Sequence, residues 1–239
     1  MNKSFRALIL AAGLGTRLQP FTTHTPKCLV NINGIPLLGR WLDTLEDLGC
    51  ESVLINTHHH AEKVENFLSN WPIKNMSIKT INEPFLLGTA GTLLKNKDFF
   101  SGTLGMLLHA DNVTNADLNK FLEAHQDREQ QCLLTMLTFK TYNPENCGIV
   151  QVDLNGVVQS FHEKVKNPPG DCANGALYLF DNSFLQWITK LSPSATDFST
   201  DVLPELVNRI QTWHTNDIYI DIGTPNSLKK AQKLFKRFS

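Results

Sequence analysis

Ala7-Leu8-Ile9-Leu10-Ala11-Ala12-Gly13-Leu14-Gly15-Thr16-Arg17-Leu18 is the stretch that decides the fold class. Its first six residues form a short, unbroken apolar run, the pattern of a strand buried on both faces within a parallel sheet. Glycines placed directly after such a strand let backbone N–H groups approach phosphate oxygens. The string is not a dinucleotide-binding fingerprint, because Leu18 stands where a third glycine is needed, and it lacks the Gly-Lys-Ser/Thr of a Walker loop. Pro20 and Pro26 forbid a long regular helix behind it. The segment through Lys27 is therefore an extended loop carrying two cations, Arg17 and Lys27. Arginine can clamp phosphate oxygens bidentately, and lysine acts as a movable point charge. Alone, the two glycines describe no more than a turn with two solvated cations.

Outward from this loop, strands and helices alternate. Cys28 to Ile32 reads as a strand closed by the turn pair Asn33-Gly34. Pro36 opens a helix that Gly49 ends. Ser52 to Thr57 and Ser77 to Asn82 read as strands, with a helix over Ala61 to Ser69 between them. Thr89 to Lys95 opens a helix behind Gly88. Thr103 to His109 is a buried strand ending at Asp111, and Ala116 to His125 an amphipathic helix. This alternation predicts a doubly wound, mixed but mostly parallel α/β sheet. The later part is richer in strands: Leu133 to Lys140, Ile149 to Val152, Val157 to His162 and Ala176 to Phe180, with Asn155-Gly156 as a hairpin signal. Helices are expected at Phe184 to Leu191 and Thr200 to Ile210. A strand at Ile218 to Ile222 follows, then a helix capped by Thr224 and Pro225.

The bulk numbers set limits. A chain of 239 residues suits one α/β domain with, at most, a small appended lobe. We expect a single domain, with residues 1 to about 130 handling one substrate and about 131 to 239 forming a β-rich half for the other. With 41% hydrophobic and 19% charged residues, a packed core is expected. The net charge of -1 offers no basic excess for nucleic acid. Cys28, Cys50, Cys132, Cys147 and Cys172 are odd in number and contain no Cys-x-x-Cys pair, as in a reduced, cytoplasmic protein. Lys3 and Arg6 before the apolar run superficially resemble a leader, but that run is too short and Arg17 follows closely. No run is long enough to span a bilayer. The expected partners are small molecules, with no nucleic acid or membrane, in a monomer or small homo-oligomer.

The whole string Gly13-x-Gly15-Thr16-Arg17-Leu18-x-Pro20-x-Thr22, followed by Pro26-Lys27, resembles the sugar-1-phosphate nucleotidyltransferase family. That family includes mannose-1-phosphate guanylyltransferases, glucose-1-phosphate thymidylyltransferases and relatives acting on heptose or N-acetylmuramate phosphates. The likeness recurs at Leu87-Gly88-Thr89-Ala90-Gly91, Asp111, Glu163-Lys164, Asn174 and Asp221-Ile222-Gly223-Thr224-Pro225, so it spans almost the whole chain in order. It implies a Rossmann-like nucleotidyltransferase fold with a small sugar-binding lobe. It further implies nucleotide contacts from Ala12, Gly13, Gly15, Thr16, Arg17, Lys27, Gly88 and Thr89, with Arg17 on the part leaving as pyrophosphate. Mg²⁺ would sit on Asp111 and Asp221. Lys164 would meet the sugar phosphate, and Gly148, Glu163 and Asn174 the sugar. Asn174-Gly175-Ala176 departs from the commoner Asn-Ala-Gly order, so the sugar-side backbone there can differ.

Glu83 lies five residues before Gly88, where thymine- or uracil-specific relatives commonly carry glutamine. A carboxylate only accepts, which suits the adjacent N1–H and N2–H₂ of guanine. GTP is therefore favoured, with UTP or dTTP next. The alternative is that Glu83 closes a strand and never touches the base. The sugar is not legible. The chain ends at Ser239 without the hexapeptide repeats of a left-handed β-helix, so that module is not expected. His58-His59-His60 has the wrong spacing for one metal ion on a helix face; Trp41 and Phe67 sit at core-like helix positions. Among competitors, cytidylyl transfer to an acidic sugar would not need Lys164 or the Asp221-to-Pro225 element. A silent nucleotide-sugar sensor is expected to lose Arg17, Lys27 or an aspartate, and none is lost. Leu18 and Pro20 argue against an NAD-dependent oxidoreductase.

Overall fold

A computed structural model describes residues 4–235; Lys3 of the leader-like pattern and Ser239 lie outside the described residues. In chain order the elements are β1 (Phe5–Leu10), β2 (Asn31–Ile32), β3 (Ile35–Pro36), α1 (Leu37–Asp47), β4 (Cys50–Thr57), α2 (Ala61–Asn70), β5 (Ser77–Asn82), α3 (Gly88–Lys95), β6 (Leu104–His109) and β7 (Asn112–Thr114). They continue with α4 (Leu118–Gln126), β8 (Leu134–Lys140), β9 (Gly148–Val152), β10 (Val158–Glu163), β11 (Cys172–Phe180), α5 (Asn182–Leu191), β12 (Ile210–Thr215), β13 (Tyr219–Asp221) and α6 (Pro225–Leu234). The mixed, mostly parallel α/β class read from the sequence is the class observed. No helix among the described residues is long and apolar enough to cross a membrane.

The chain forms two compact units, and they do not divide near residue 130. One takes Ser4–Leu86, Leu108–Asn115 and 218–235; the other takes Leu87–Leu107 and Ala116–Asp217. The division interleaves because β13 returns to pair with β7 far back in the sequence, a long-range pairing that local patterns do not carry.

In the first unit, β1 pairs in parallel with β4, and β4 with β5. Ala7, Leu8 and Ile9 of β1 are wholly buried, as a strand covered on both faces requires. Ala110 N–H donates to the carbonyl of Leu10, which ties the end of β6 to the end of β1. A separate apolar cluster joins Leu18, Val30, Ile32, Leu37, Val113, Ile220, Ile222, Leu228 and Ala231. It fixes the loop after β1, the β7–β13 ladder and α6 to one another. Asn33 and Gly34 both have positive φ, 51° and 84°, the conformation of the tight turn expected there. The extended strand predicted for Cys28 to Ile32 is shorter, because Lys27–Leu29 coil into a single 3₁₀ turn.

The second unit is built on β11, which pairs antiparallel with β8 and β9, while β12 pairs in parallel with β8. Phe100, Phe180, Phe184 and Phe198 pack ring against ring beneath it. The helix predicted over Thr200 to Ile210 is not formed. Pro204 has no N–H to continue a helix, so Phe198–Val202 make a π turn, Pro204–Leu206 a 3₁₀ turn, and the chain enters β12 at Ile210.

Candidate active site

The loop after β1 leaves the sheet at Ala11, whose N–H donates to Asn56 Oδ1 at 2.7 Å. Gly15 has φ 67°, a left-handed conformation that favours glycine. A Cβ there would stand 3.0 Å from Thr22 and 3.2 Å from Lys27 Cβ, so Gly15 also lets the Lys27 side chain close up against the loop. Thr22 Oγ1 donates to the Gly15 carbonyl at 2.7 Å and fastens the turn. Ala12 is buried, Gly13 and Thr16 are exposed, and Arg17 projects from a one-turn 3₁₀ helix over Thr16–Leu18 whose Leu18 is buried.

Asp111 and Asp221 come together through backbone pairing. Strand β13 runs antiparallel to β7 with Asp221 opposite Asn112, and Ile222 N–H donates to the Asp111 carbonyl at 2.9 Å. Lys27 Nζ hydrogen-bonds Asp111 Oδ2 and lies 3.7 Å from Asp221 Oδ1. A Cβ added at Gly223 would stand 3.2 Å from Asp221 Oδ2 and 3.5 Å from Arg17 Nη2. The two aspartates and two cations singled out in the sequence are thus gathered in one unit. Burial raises the Asp111 carboxyl, but Lys27 and His109 outweigh it and hold the group below its usual range. Burial and the neighbouring Asp111 charge push Asp221 upward against Lys27 and Arg17. Two repelling carboxylates with hard oxygen donors fit the needs of Mg²⁺, which takes one or two protein carboxylates and fills its remaining positions with phosphate oxygens and water. His109 was not singled out from the sequence; its place at the end of β6, two residues before Asp111, is the signal that could have found it.

Glu83 behaves differently from the expectation. It is 1% exposed. Its Oε1 accepts from Asn56 Nδ2 at 3.1 Å, its N–H donates to the Thr57 carbonyl, and its carbonyl bonds His58 Nδ1 at 2.7 Å. The carboxylate that the sequence reading set against guanine is thus enclosed within the fold and bonded to Asn56. The first histidine of the triplet is accounted for by this contact, and His60 precedes α2 with φ 57°.

In the second unit, Gly88 and Thr89 open α3 against the loop 196–198. Thr89 Oγ1 accepts from Phe198 N–H at 2.6 Å, and the Thr196 carbonyl accepts from Ala90 N–H at 2.9 Å. A Cβ on Gly88 would fall 2.2 Å from the Thr196 oxygen, at a φ of 78°. Both the clash and the left-handed backbone oppose any side chain. Gly88→Ala should therefore cost about 2–4 kcal/mol, lowering the melting temperature by roughly 5–15 °C for a chain of this size. A thermal melt unchanged within about 2 °C would contradict that.

Gly148, Glu163 and Lys164 also gather, and Asn174 lies on β11, which pairs with β9 at Ala173 and Ile149. Gly148 faces Glu163 across the β9–β10 ladder, and a Cβ on Gly148 would be 2.6 Å from Glu163 Oε2. Lys164 Nζ pairs with Glu163 Oε1 at 2.8 Å. Lys164 has φ 48°, and its N–H donates to the Cys147 carbonyl. Asn174 Nδ2 donates to Tyr178 Oη at 2.7 Å, and its Oδ1 accepts from Ala176 N–H where β11 bulges. Tyr178 was missed in the sequence. Burial, with Glu163 nearby, pushes its phenol well up, which keeps it neutral. The only advance signal was its place in an apolar strand.

A glycine-rich loop, two clustered cations and two aspartates brought together by strand pairing thus lie in one α/β unit. The chain belongs to the nucleotidyl transferase family, whose model matches residues 6–237. It is 29% identical over 237 residues to the mannose-1-phosphate guanylyltransferase catalytic subunit beta of Drosophila melanogaster, covering 96% of this chain and 62% of that one. A crystal structure of HddC from Yersinia pseudotuberculosis complexed with GMP-PN superposes with a TM-score of 0.80 at 26% identity, over 97% of this chain and 99% of that one. A Bacillus anthracis protein assigned as a glucose-1-phosphate thymidylyltransferase shares the fold with a TM-score of 0.86 at 23% identity, over 99% and 97% of the two chains.

Proposed function

We propose that this protein transfers a nucleotidyl group from a nucleoside triphosphate to a sugar 1-phosphate, releasing pyrophosphate and forming an NDP-sugar. The observation that carries the reading is the convergence of Arg17, Lys27, Asp111 and Asp221 beside the glycine-rich loop. A sugar-phosphate oxygen attacks the α-phosphorus. That nucleophile is already anionic at neutral pH, so no general base is required. The obstacles are repulsion between two anions and charge growth on the departing pyrophosphate, which fixed cations relieve by positioning and electrostatic stabilisation. Arg17 and Lys27 meet the triphosphate, with Arg17 on the leaving part. Backbone N–H groups of Ala12, Gly13, Gly15 and Thr16 line the phosphates. Asp111 and Asp221 hold Mg²⁺, which supplies further neutralisation of phosphate charge. Lys164 meets the phosphate of the incoming sugar, and Glu163, Asn174 and Gly148 its hydroxyls. Gly88 and Thr89 serve the nucleotide indirectly, by fixing the start of α3.

GTP is the favoured triphosphate. The guanylyltransferase name of the Drosophila relative and the GMP-PN bound to HddC support this, as does the Leu87-to-Gly91 string. UTP or dTTP is the alternative, in line with the Bacillus fold neighbour. Initial rates with GTP, UTP, dTTP, CTP and ATP under identical conditions test it, and a kcat/KM for UTP or dTTP above that for GTP would overturn the base assignment alone.

A further inference from the structure

Asn56 links two places that the chemistry needs to keep in step. Its Oδ1 accepts the Ala11 N–H at 2.7 Å, where strand β1 breaks into the glycine-rich loop. Its Nδ2 donates to Glu83 Oε1 at 3.1 Å, where β5 ends and the segment toward Gly88 begins. Asn56 is 4% exposed and Glu83 1%. In the sheet, Asn56 is level with Leu10 of β1 and Ile81 of β5, so the side chain bridges three neighbouring strand ends. The amide orientation follows from its partners. A carboxylate can only accept and a peptide N–H can only donate, so nitrogen faces Glu83 and oxygen faces Ala11. Aspartate at this position would set two carboxylates against each other, and an apolar residue would strip both groups of this partner. Two long-range hydrogen bonds and one local one complete the arrangement: Glu83 N–H to the Thr57 carbonyl, His58 to the Glu83 carbonyl, and, within the loop, Thr22 to the Gly15 carbonyl.

Resting on the nucleotidyltransferase reading above, we infer that Asn56 is a positioning residue. It transmits the placement of Glu83 to the phosphate-binding loop, and Glu83 governs nucleotide use through Asn56 without touching the base. The loop amides at 12–15 are oriented by where the chain leaves β1, and the Ala11–Asn56 bond sets that point. Loss of the relay therefore weakens the grip on the phosphates that all triphosphates share, and leaves base discrimination alone.

The test uses the intact protein, with steady-state kinetics for GTP and UTP and equilibrium binding of each nucleotide. Asn56→Ala should raise the KM for both by about tenfold or more, the scale of a lost hydrogen bond to a charged group. The KM for the sugar phosphate should stay within about twofold and the GTP-to-UTP ratio unchanged. Glu83→Gln should raise both nucleotide KM values together, by a few-fold. The decisive pair is Asn56→Asp alone and combined with Glu83→Gln. The single change should be the more damaging. The combination reverses donor and acceptor between the two side chains, leaves an acceptor for Ala11, and should bring nucleotide KM back within about threefold of wild type.

Three results would overturn the inference. One is a GTP-to-UTP preference that falls tenfold or more in Glu83→Gln, which would show direct base reading. Another is loss of thermal stability in the Asn56 variants with nucleotide KM unmoved, which would show a purely structural bond. The third is failure of the reversed pair to recover. If the wild type binds no triphosphate and releases no pyrophosphate, the nucleotidyltransferase reading falls as well; if it turns over normally, the relay alone is at stake.

Discussion

Asp111→Asn and Asp221→Asn should each lower turnover by roughly a hundredfold to a thousandfold, the scale seen when one preorganised electrostatic contact is removed from a reacting phosphate or carbonyl. Both changes keep the side-chain shape. The backbone contacts that place the pair, β7 against β13 and Ile222 N–H on the Asp111 carbonyl, do not involve the carboxylates, so the fold should survive and circular dichroism should match wild type. What is lost is a negative charge that Lys27 uses and that a bound metal ion would use. Lys27 hydrogen-bonds Asp111 and stands 3.7 Å from Asp221, so Asp111→Asn removes its nearer anchor. Chelation of divalent metal should abolish wild-type turnover, and Mg²⁺ should restore it. Each variant should need more Mg²⁺ to reach its own maximum. A near-normal rate from either variant at limiting Mg²⁺ would contradict its role.

Arg17→Ala and Lys164→Ala should separate the substrates. Arg17 projects beside Gly223 and Asp221 from an exposed turn, and its removal should raise the KM for the triphosphate, and for pyrophosphate in the reverse direction. Lys164 is 62% exposed and paired with Glu163; its removal should fall on the sugar phosphate. Hydrogen bonds to charged groups are worth about 1.5–3 kcal/mol, so each affected constant should move by roughly ten- to a hundredfold, and the other substrate's constant far less. Synthesis and pyrophosphorolysis, each measured for both variants, give the four numbers needed. Equal damage to triphosphate binding from the two changes would sink the division of labour.

Much of this was legible in the sequence because it is local. The apolar run of β1, the alternation through β5, the capped helix after Thr224 and the loop with Arg17 and Lys27 are all set by residues close in the chain; the cap at Thr224 with Pro225 behind it forms as read, and Ser227 completes a capping box that was not read. Asp111 and Asp221 could be picked out by position, but their meeting was expected only from the family resemblance, since the three-residue strand β7 on which it depends is too short to show a period. The segment Thr200 to Ile210 misled because its apolar spacing suits a helix, while Pro204 and the pairing of β12 with β8 decide otherwise. The burial of Glu83 was not legible for another reason. A charged residue at a strand end is ordinarily solvated, and the side chain of Asn56, 27 positions away, helps to make its burial tolerable.

The most direct test of the central claim is pyrophosphate release measured with each common triphosphate against a panel of sugar 1-phosphates, in the presence of Mg²⁺. The account predicts release that requires both a triphosphate and a sugar 1-phosphate, is fastest with GTP, and is accompanied by an equal amount of NDP-sugar. Pyrophosphate or phosphate release that does not depend on the sugar phosphate, or no release with any pair, would contradict it.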